Sequence, residues 1–298
     1  MKALCLTFEC ASGYTFYRRG VAQLASALRL GRRGRRFKSA HPDLQQTRAT
    51  PKTTVETPFL SIIIPAHNEA LRLPAALEQV AAFVRAQNYL CEVLVVENGS
   101  TDETAAIARA WQEQLPELRV INLPEAGKGG AVKAGMLSAR GACRYMADTD
   151  LSVPLEEIPR FLDAIQAGAQ VAIGSREAPG SVRIGEPFYR HWSGRVYNLL
   201  VRWWVLPGIQ DTQCGFKCFS AEAAGALFPL QRQIGWSFDI EVLAAARQNG
   251  YSIREVPVTW TYGTGSRIKP LRDAFALVRE LWIIRANARR GAYRARPL

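Results

Sequence analysis

Between Phe59 and about Gly174, five short apolar runs alternate with longer amphipathic stretches, and that alternation decides what the chain can fold into. The runs are 59–65, 92–97, 118–123, 144–147 and 170–174, most of them rich in valine, isoleucine and leucine. Runs without polar alternation read as strands covered on both faces, the mark of a parallel sheet. The stretches between them read as helices: one opened by Asn68 and Glu69 and reaching about Gln87, and one capped by Ser100 or Thr101 and reaching Trp111. Two more are expected over Lys128 to Arg140 and Pro154 to Ala167. The expected fold is α/β, a doubly wound, mostly parallel sheet with helices on both faces. Such sheets bind ligands outside the carboxyl ends of their strands. Residues 65–69, 97–102 and 148–150 all fall there, so one cleft is predicted.

The net charge of +12 invites a nucleic-acid reading until its location is examined. Residues 1–50 carry ten basic side chains against Glu9 and Asp43, and five arginines sit in the last fourteen positions. The stretch 51–284 is left with a net charge of −1, so no basic face and no nucleic-acid partner are expected of it. Cys214 and Cys218 have metal-pair spacing, but no second pair follows, and the six cysteines read as reduced thiols. The most apolar stretches, 198–209 and 277–288, are interrupted by Arg202 and by Arg279, Glu280 and Arg285, so the chain is not expected to cross a membrane by itself.

Residues 1–57 are read as a basic extension, 58–285 as the folded domain and 286–298 as a basic tail. Glu9 interrupts any signal-peptide core. The stretch 20–43 looks like a transfer-RNA gene translated as protein, which implies a start set too far upstream, with the native chain beginning near residue 50. The functional alternative is a basic arm for anionic lipid or nucleic acid.

Two segments carry candidate chemistry. Asp148-Thr149-Asp150 places two carboxylates at the exit of the fourth strand, a set that suits a hard divalent cation completed by water and phosphate oxygens; the plainer reading is a capped turn. Gly127-Lys128-Gly129-Gly130-Ala131 brings backbone N–H groups and a cation to a helix start, near which a pyrophosphate fits. It lacks the GK[ST] ending of an ATPase loop, and alone it reads better as a turn.

Taken in order, SIIIPAHNEA (61–70), VVENGSTDETA (95–105), GKGGAVKAGMLSARG (127–141), DTDLS (148–152), GSR (174–176), DTQCGFKCFS (211–220), WSFDIE (236–241) and EVPVTW (255–260) resemble glycosyltransferase family 2, and closely its dolichyl-phosphate β-glucosyltransferase branch. The resemblance spans about residues 58–285. It implies a GT-A fold, a nucleotide-sugar donor such as UDP-glucose, Mg²⁺ or Mn²⁺, inversion at the anomeric carbon and a polyprenyl phosphate acceptor. By position it implies Pro65, His67 and Glu69 in the nucleoside pocket, with Asn98, beside Glu97, reading the base edge. It further implies Asp148 and Asp150 on the metal, Lys128 supporting the leaving diphosphate, and Arg176 and Arg190 gripping the acceptor phosphate. Asp211 is the candidate to orient that acceptor or take its residual proton, and Asp239 and Glu241 are pocket-wall carboxylates.

Many relatives have two aspartates where this chain has Glu97 and Asn98, which puts uridine specificity in question. Membrane contact is expected from a helix over 189–206, with Trp192, Trp203 and Trp204 flanked by Arg190, Arg195 and Arg202, and from the amphipathic stretch 271–290. That places the protein in the cytoplasm, peripheral on the inner face of the membrane. The alternatives are a family 2 enzyme with a soluble or polysaccharide acceptor, and a non-enzymatic RNA- or membrane-binding protein.

Overall fold

The structure, a computed structural model, describes residues 57–263 and 270–294, without side chains at 189–191, 193 and 270–276. The expected extension therefore lies, but for Thr57, outside the described residues, as do Cys5, Cys10 and the end of the tail. The chain runs β1 (Leu60–Ala66), α1 (Leu73–Arg85), β2 (Cys91–Asn98), α2 (Thr104–Ala110), β3 (Leu118–Leu123), α3 (Lys128–Ser138), β4 (Cys143–Met146), α4 (Ile158–Gln166) and β5 (Val171–Ser175). It continues β6 (Val182–Ile184), α5 (Phe188–Trp204), β7 (Lys217–Ser220), α6 (Ala221–Leu227), α7 (Phe238–Gln248), β8 (Ile253–Pro257), β9 (Thr259–Thr261) and α8 (Pro270–Arg289).

Seven strands form one sheet in the order β3-β2-β1-β4-β7-β5-β8. Every pairing is parallel except those of β7, which lies antiparallel between β4 and β5. Strands β6 and β9 make a separate parallel ribbon. The strand period of two divides the buried residues into two layers. Ile62, Ile64, Val93 and Val95 pack with Leu77 and Val80 of α1 on one face. Ile63, Leu94 and Val96 pack with Val132 and Met136 of α3 and with α7 on the other. All of β1 and β2 is buried, as the unalternating apolar runs require.

Two helix starts differ from expectation. Helix α1 begins at Leu73, not at Asn68, because Asn68 takes a left-handed φ of 51° and a turn closed by the Glu69–Arg72 pair intervenes. At α2 neither Ser100 nor Thr101 caps; the Asp102 carboxylate accepts from the Thr104 N–H at 3.0 Å. Ser100 Oγ instead accepts from the Asn68 N–H, tying the ends of β1 and β2 together.

Candidate active site

The exits of β1, β2, β4 and β5 converge at one edge of the sheet, and the candidate residues lie along it. Pro65 closes β1, where its carbonyl accepts from Thr149 Oγ1 at 2.9 Å, linking the first loop to the β4 exit. His67 Nδ1 lies 2.8 Å from the Asn98 carbonyl. Glu69 holds Arg72 through two hydrogen bonds of 2.6 and 2.8 Å. Glu97 accepts from the Ser100 N–H, which shapes the turn after β2. The Asn98 amide, oriented so that both its ends are satisfied, donates to the Ala66 carbonyl and accepts from the Gly127 N–H. It is only 2 % exposed, so its side chain braces the main chain of two loops.

Asp148 and Asp150 follow β4 in the same turn. Lys128 Nζ is 2.5 Å from Asp148 Oδ1, and the Trp236 ring lies 5.1 Å from the same ammonium. Burial works against the Lys128 charge, but Asp148, Asp239 and Asp150 outweigh it and hold its pKa above the ordinary range. Leu151, in a left-handed turn with φ of 44°, bends the chain so that Asp150 Oδ1 accepts from both the N–H and the hydroxyl of Ser152. A cavity of about 200 Å³ opens beside Asp150, lined by Arg72, Ala76, Gln79, Thr149 and Leu151 among others. Among the described residues no group of three or more His, Cys, Asp or Glu could hold a metal. Two carboxylates nonetheless fit a hard cation whose remaining ligands are water and phosphate oxygens, and the donor set here is of that kind.

At the β5 exit Arg176 meets Asp211 side on. Its Nε and Nη2 donate to the two carboxylate oxygens at 2.6 and 2.9 Å, and its backbone N–H adds a third bond at 3.1 Å. The guanidinium also lies 5.3 Å from the Trp260 ring centre. Asp211 is fully buried; burial alone raises its pKa, but Arg176 overrides this and lowers it to about 2. Both carboxylate oxygens are engaged by Arg176, an arrangement that suits the orienting part of the Asp211 expectation. What the carboxylate does is fix Arg176. Glu255 roots the loop, accepting from the N–H groups of Gln210 and Asp211 at 2.9 and 3.0 Å. The side chain of Arg190, on α5, lies outside the described residues.

The glycine-rich segment follows the plainer of its two readings, a turn before a helix. The N–H groups of Gly129 and Gly130 both point at the Ile234 carbonyl, and that of Gly127 at Asn98, so none of the three is offered to a pyrophosphate. The glycines admit a close-lying loop: a Cβ on Gly129 would fall 2.7 Å from the Gln233 carbonyl oxygen. Buried Glu241 pins that loop by accepting from the N–H groups of Arg232 and Gln233 at 2.7 and 2.6 Å, and from the Tyr293 hydroxyl at 2.8 Å. Asp239 pairs with Lys217 at 2.7 Å. Glu241 thus anchors a loop and does not line the cleft; the spacing of WSFDIE gives no signal of it.

Helix α5 turns Phe188, Trp192, Val196, Leu199 and Trp203 to solvent, the last 80 % exposed. Their spacing of three and four residues makes one apolar stripe. Trp282 of α8 is exposed too, and Arg285 lies 5.6 Å from the Trp204 ring, joining the two helices. No helix among the described residues is long and apolar enough to cross a membrane.

Comparison with known proteins gives consistent results. Residues 61–228 match the model of "Glycosyl transferase family 2". The dolichyl-phosphate beta-glucosyltransferase of Drosophila melanogaster is 35% identical over 250 residues, 79% of this chain and 77% of that protein. The human protein of that name is 32% identical over 253 residues, 80% of this chain and 78% of its own length. Among solved structures, glucosyl-3-phosphoglycerate synthase from Mycobacterium tuberculosis, in complex with Mn²⁺, UDP and glucosyl-3-phosphoglycerate, is similar in fold. Its TM-score is 0.57 at 20% identity, over 78% of this chain and 80% of that one.

Proposed function

The chain belongs to glycosyl transferase family 2, and within that family we propose that it moves glucose from UDP-glucose to a membrane-held polyprenyl phosphate, with inversion. The observation that carries this reading is the pairing, along one sheet edge, of an Asp148–Lys128 site with an Arg176–Asp211 site. The first suits a diphosphate leaving group and the second a phosphate acceptor.

On the donor side, Pro65, His67 and Glu69, backed by Glu97 and Asn98, line the nucleoside pocket. Asp148 and Asp150 would hold Mg²⁺ or Mn²⁺, which when bound would supply positive charge to the leaving diphosphate. Lys128 adds a fixed charge on that same side. On the acceptor side, Asp211 presents Arg176 in one orientation, and its remaining N–H groups, with Arg190, hold the acceptor phosphate. A phosphate oxygen then attacks the anomeric carbon as the bond to the diphosphate breaks, and UDP leaves. A phosphate monoester is already largely dianionic at neutral pH, so the reaction needs no strong general base. The buried, strongly acidic Asp211 is consistent with that.

The apolar stripe on α5 and the exposed face of α8, with Arg195, Arg202 and Arg285 nearby, support contact with the inner face of the membrane, where the lipid acceptor resides. A soluble acceptor would leave that stripe unexplained.

The test is transfer of radiolabelled glucose from UDP-glucose into an organic-extractable product, with polyprenyl phosphate and Mg²⁺ or Mn²⁺ supplied. Label that disappears with EDTA and in Asp150→Asn is expected. Folded protein that labels a soluble acceptor and no lipid would overturn the acceptor assignment.

A further inference from the structure

We propose that Lys217 and Asp239 are positioning residues for the transfer, a buried ion pair that ties the cation on the donor side, Lys128, to the cation on the acceptor side, Arg176. The inference rests on the donor and acceptor sides assigned above.

Lys217 is 1 % exposed and Asp239 5 %, and their charged atoms are 2.7 Å apart. Lys217 Nζ also donates to the Cys214 carbonyl. Taking two charges out of water costs several kcal/mol per ion, and an apolar pair of similar volume is often at least as stable in such a place. Fold stability alone does not account for the pair. Its surroundings do.

On one side Asp239 pairs with Lys217, and the loop that ends at Lys217 reaches, through Gly215, the Asp148 carboxylate, to which the Lys128 ammonium is bonded; burial raises the Asp239 pKa, and Lys217 and then Lys128 work against that rise. On the other side Lys217 helps keep Asp211 ionised, and Asp211 fixes Arg176 by two parallel hydrogen bonds. The signs alternate through three ion pairs, Arg176–Asp211 at 2.6 Å, Lys217–Asp239 at 2.7 Å and Lys128–Asp148 at 2.5 Å. Removing the middle pair leaves the two outer cation–carboxylate pairs without the ion pair between them. The connection is covalent as well. Asp211 and Lys217 bound one short stretch of chain, and Gly215 within it lies against the Asp148 carboxylate. Asp239 stands in the first turn of α7, where the helix dipole also favours negative charge.

The decisive variant is the double substitution Lys217→Met with Asp239→Leu, which replaces the pair by apolar groups of similar size. Its melting temperature is expected to equal or exceed that of the parent, while kcat/KM for lipid glucosylation falls about 100-fold or more, a loss of about 2.7 kcal/mol at the transition state. Calorimetry with UDP and Mn²⁺ is expected to show weaker binding, and the KM for polyprenyl phosphate to rise with it. A stable double variant that turns over within about threefold of the parent would overturn the proposal.

If the double variant does not fold, Asp239→Asn alone decides. Weaker UDP binding and a raised acceptor KM together support positioning; a lower melting temperature with both constants unchanged marks a purely structural pair and overturns it. Lys217→Arg should recover turnover that Lys217→Met loses. The parent is the control for the functional reading beneath. A parent that binds no UDP sinks that reading, whereas a parent that transfers glucose beside an equally active variant sinks only the positioning role.

Discussion

Gly215 lies so close against Asp148 that a Cβ built on it would fall 1.9 Å from the carboxylate oxygen Oδ2. The loop between Asp211 and β7 thus sets where the Asp148 carboxylate, proposed above as a metal ligand, stands, and only a residue without a side chain permits that approach. Asp148 in turn is bonded to Lys128, so its placement and that of the lysine are one problem.

Gly215→Ala should therefore act on chemistry more than on folding. The Asp148 side chain has to swing away from the methyl group and loses its pairing with Lys128. Misplacement of a reacting or positioning group by about 1 Å can cost about 100-fold in rate, and a loss of that order is expected, with a higher Mn²⁺ requirement. Gly225→Ala is the control, since a Cβ there meets open space within α6 and should stabilise by about 0.5–1 kcal/mol without touching turnover. Equal Mn²⁺ titrations for both variants and the parent would count against the Asp148 placement.

Asp211 predicts a pH dependence of stability. Its folded pKa is depressed, to about 2 against an ordinary 3.8. A depressed carboxylate contributes stability above its unfolded pKa and loses it as pH falls through the folded value, so the window runs from about 4 down to about 2. The contribution above that window is roughly 2–3 kcal/mol. Urea unfolding of the parent should show it, and Asp211→Asn should flatten that segment of the profile. At neutral pH the same variant leaves Arg176, only 19% exposed, without its counter-charge, and about 3 kcal/mol of lost stability is expected. Parallel acid profiles for parent and variant would contradict the pairing.

These two residues also show what local sequence can and cannot carry. The strands were legible almost to the residue because runs such as Ile62-Ile63-Ile64 and Val93-Leu94-Val95-Val96 must be covered on both faces, and burial of that kind writes itself into composition. The meeting of the candidate loops at one end of the sheet was legible because Pro65, Asn98 and Asp148 all stand where such strands end. Strand β7 was not: four residues long and antiparallel, it is defined by partners on β4 and β5 that lie 44 or more positions away in the chain. Lys217 was missed for the same reason. A lysine in sequence reads as solvated, and only the fold brings Asp239 to it. The glycine turn was ambiguous in another way, since close approach by the loop carrying Ile234 and approach by a pyrophosphate demand the same residue type.

Glu241 anchors that loop, and its removal should loosen the roof over α3 locally. The carboxylate accepts from two backbone N–H groups and the Tyr293 hydroxyl, all acceptor duties that Glu241→Gln can only partly meet. Leaving a buried donor facing an amide NH₂ costs about 1–3 kcal/mol. Hydrogen exchange at Arg232 and Gln233 should quicken in the variant well before exchange in β1 or β2 changes. Unchanged exchange at those two amides would show that Gln231, which also bonds the Gly129 carbonyl, holds the loop without help.

The stripe on α5 separates membrane contact from chemistry. Trp203 is 80 % exposed and lies at the end of the stripe. Burying an indole in the lipid interface is favourable and burying a carboxylate there is not, so Trp203→Glu should weaken binding to anionic vesicles by at least about tenfold. Turnover on a short-chain, water-soluble polyprenyl phosphate should be unaffected, because Trp203 is turned to solvent on α5. Activity on long-chain acceptor in vesicles should fall in step with binding. Were vesicle binding unchanged while both activities dropped, α5 would be serving the fold or the acceptor channel, and the membrane contact would have to be sought on α8 around Trp282.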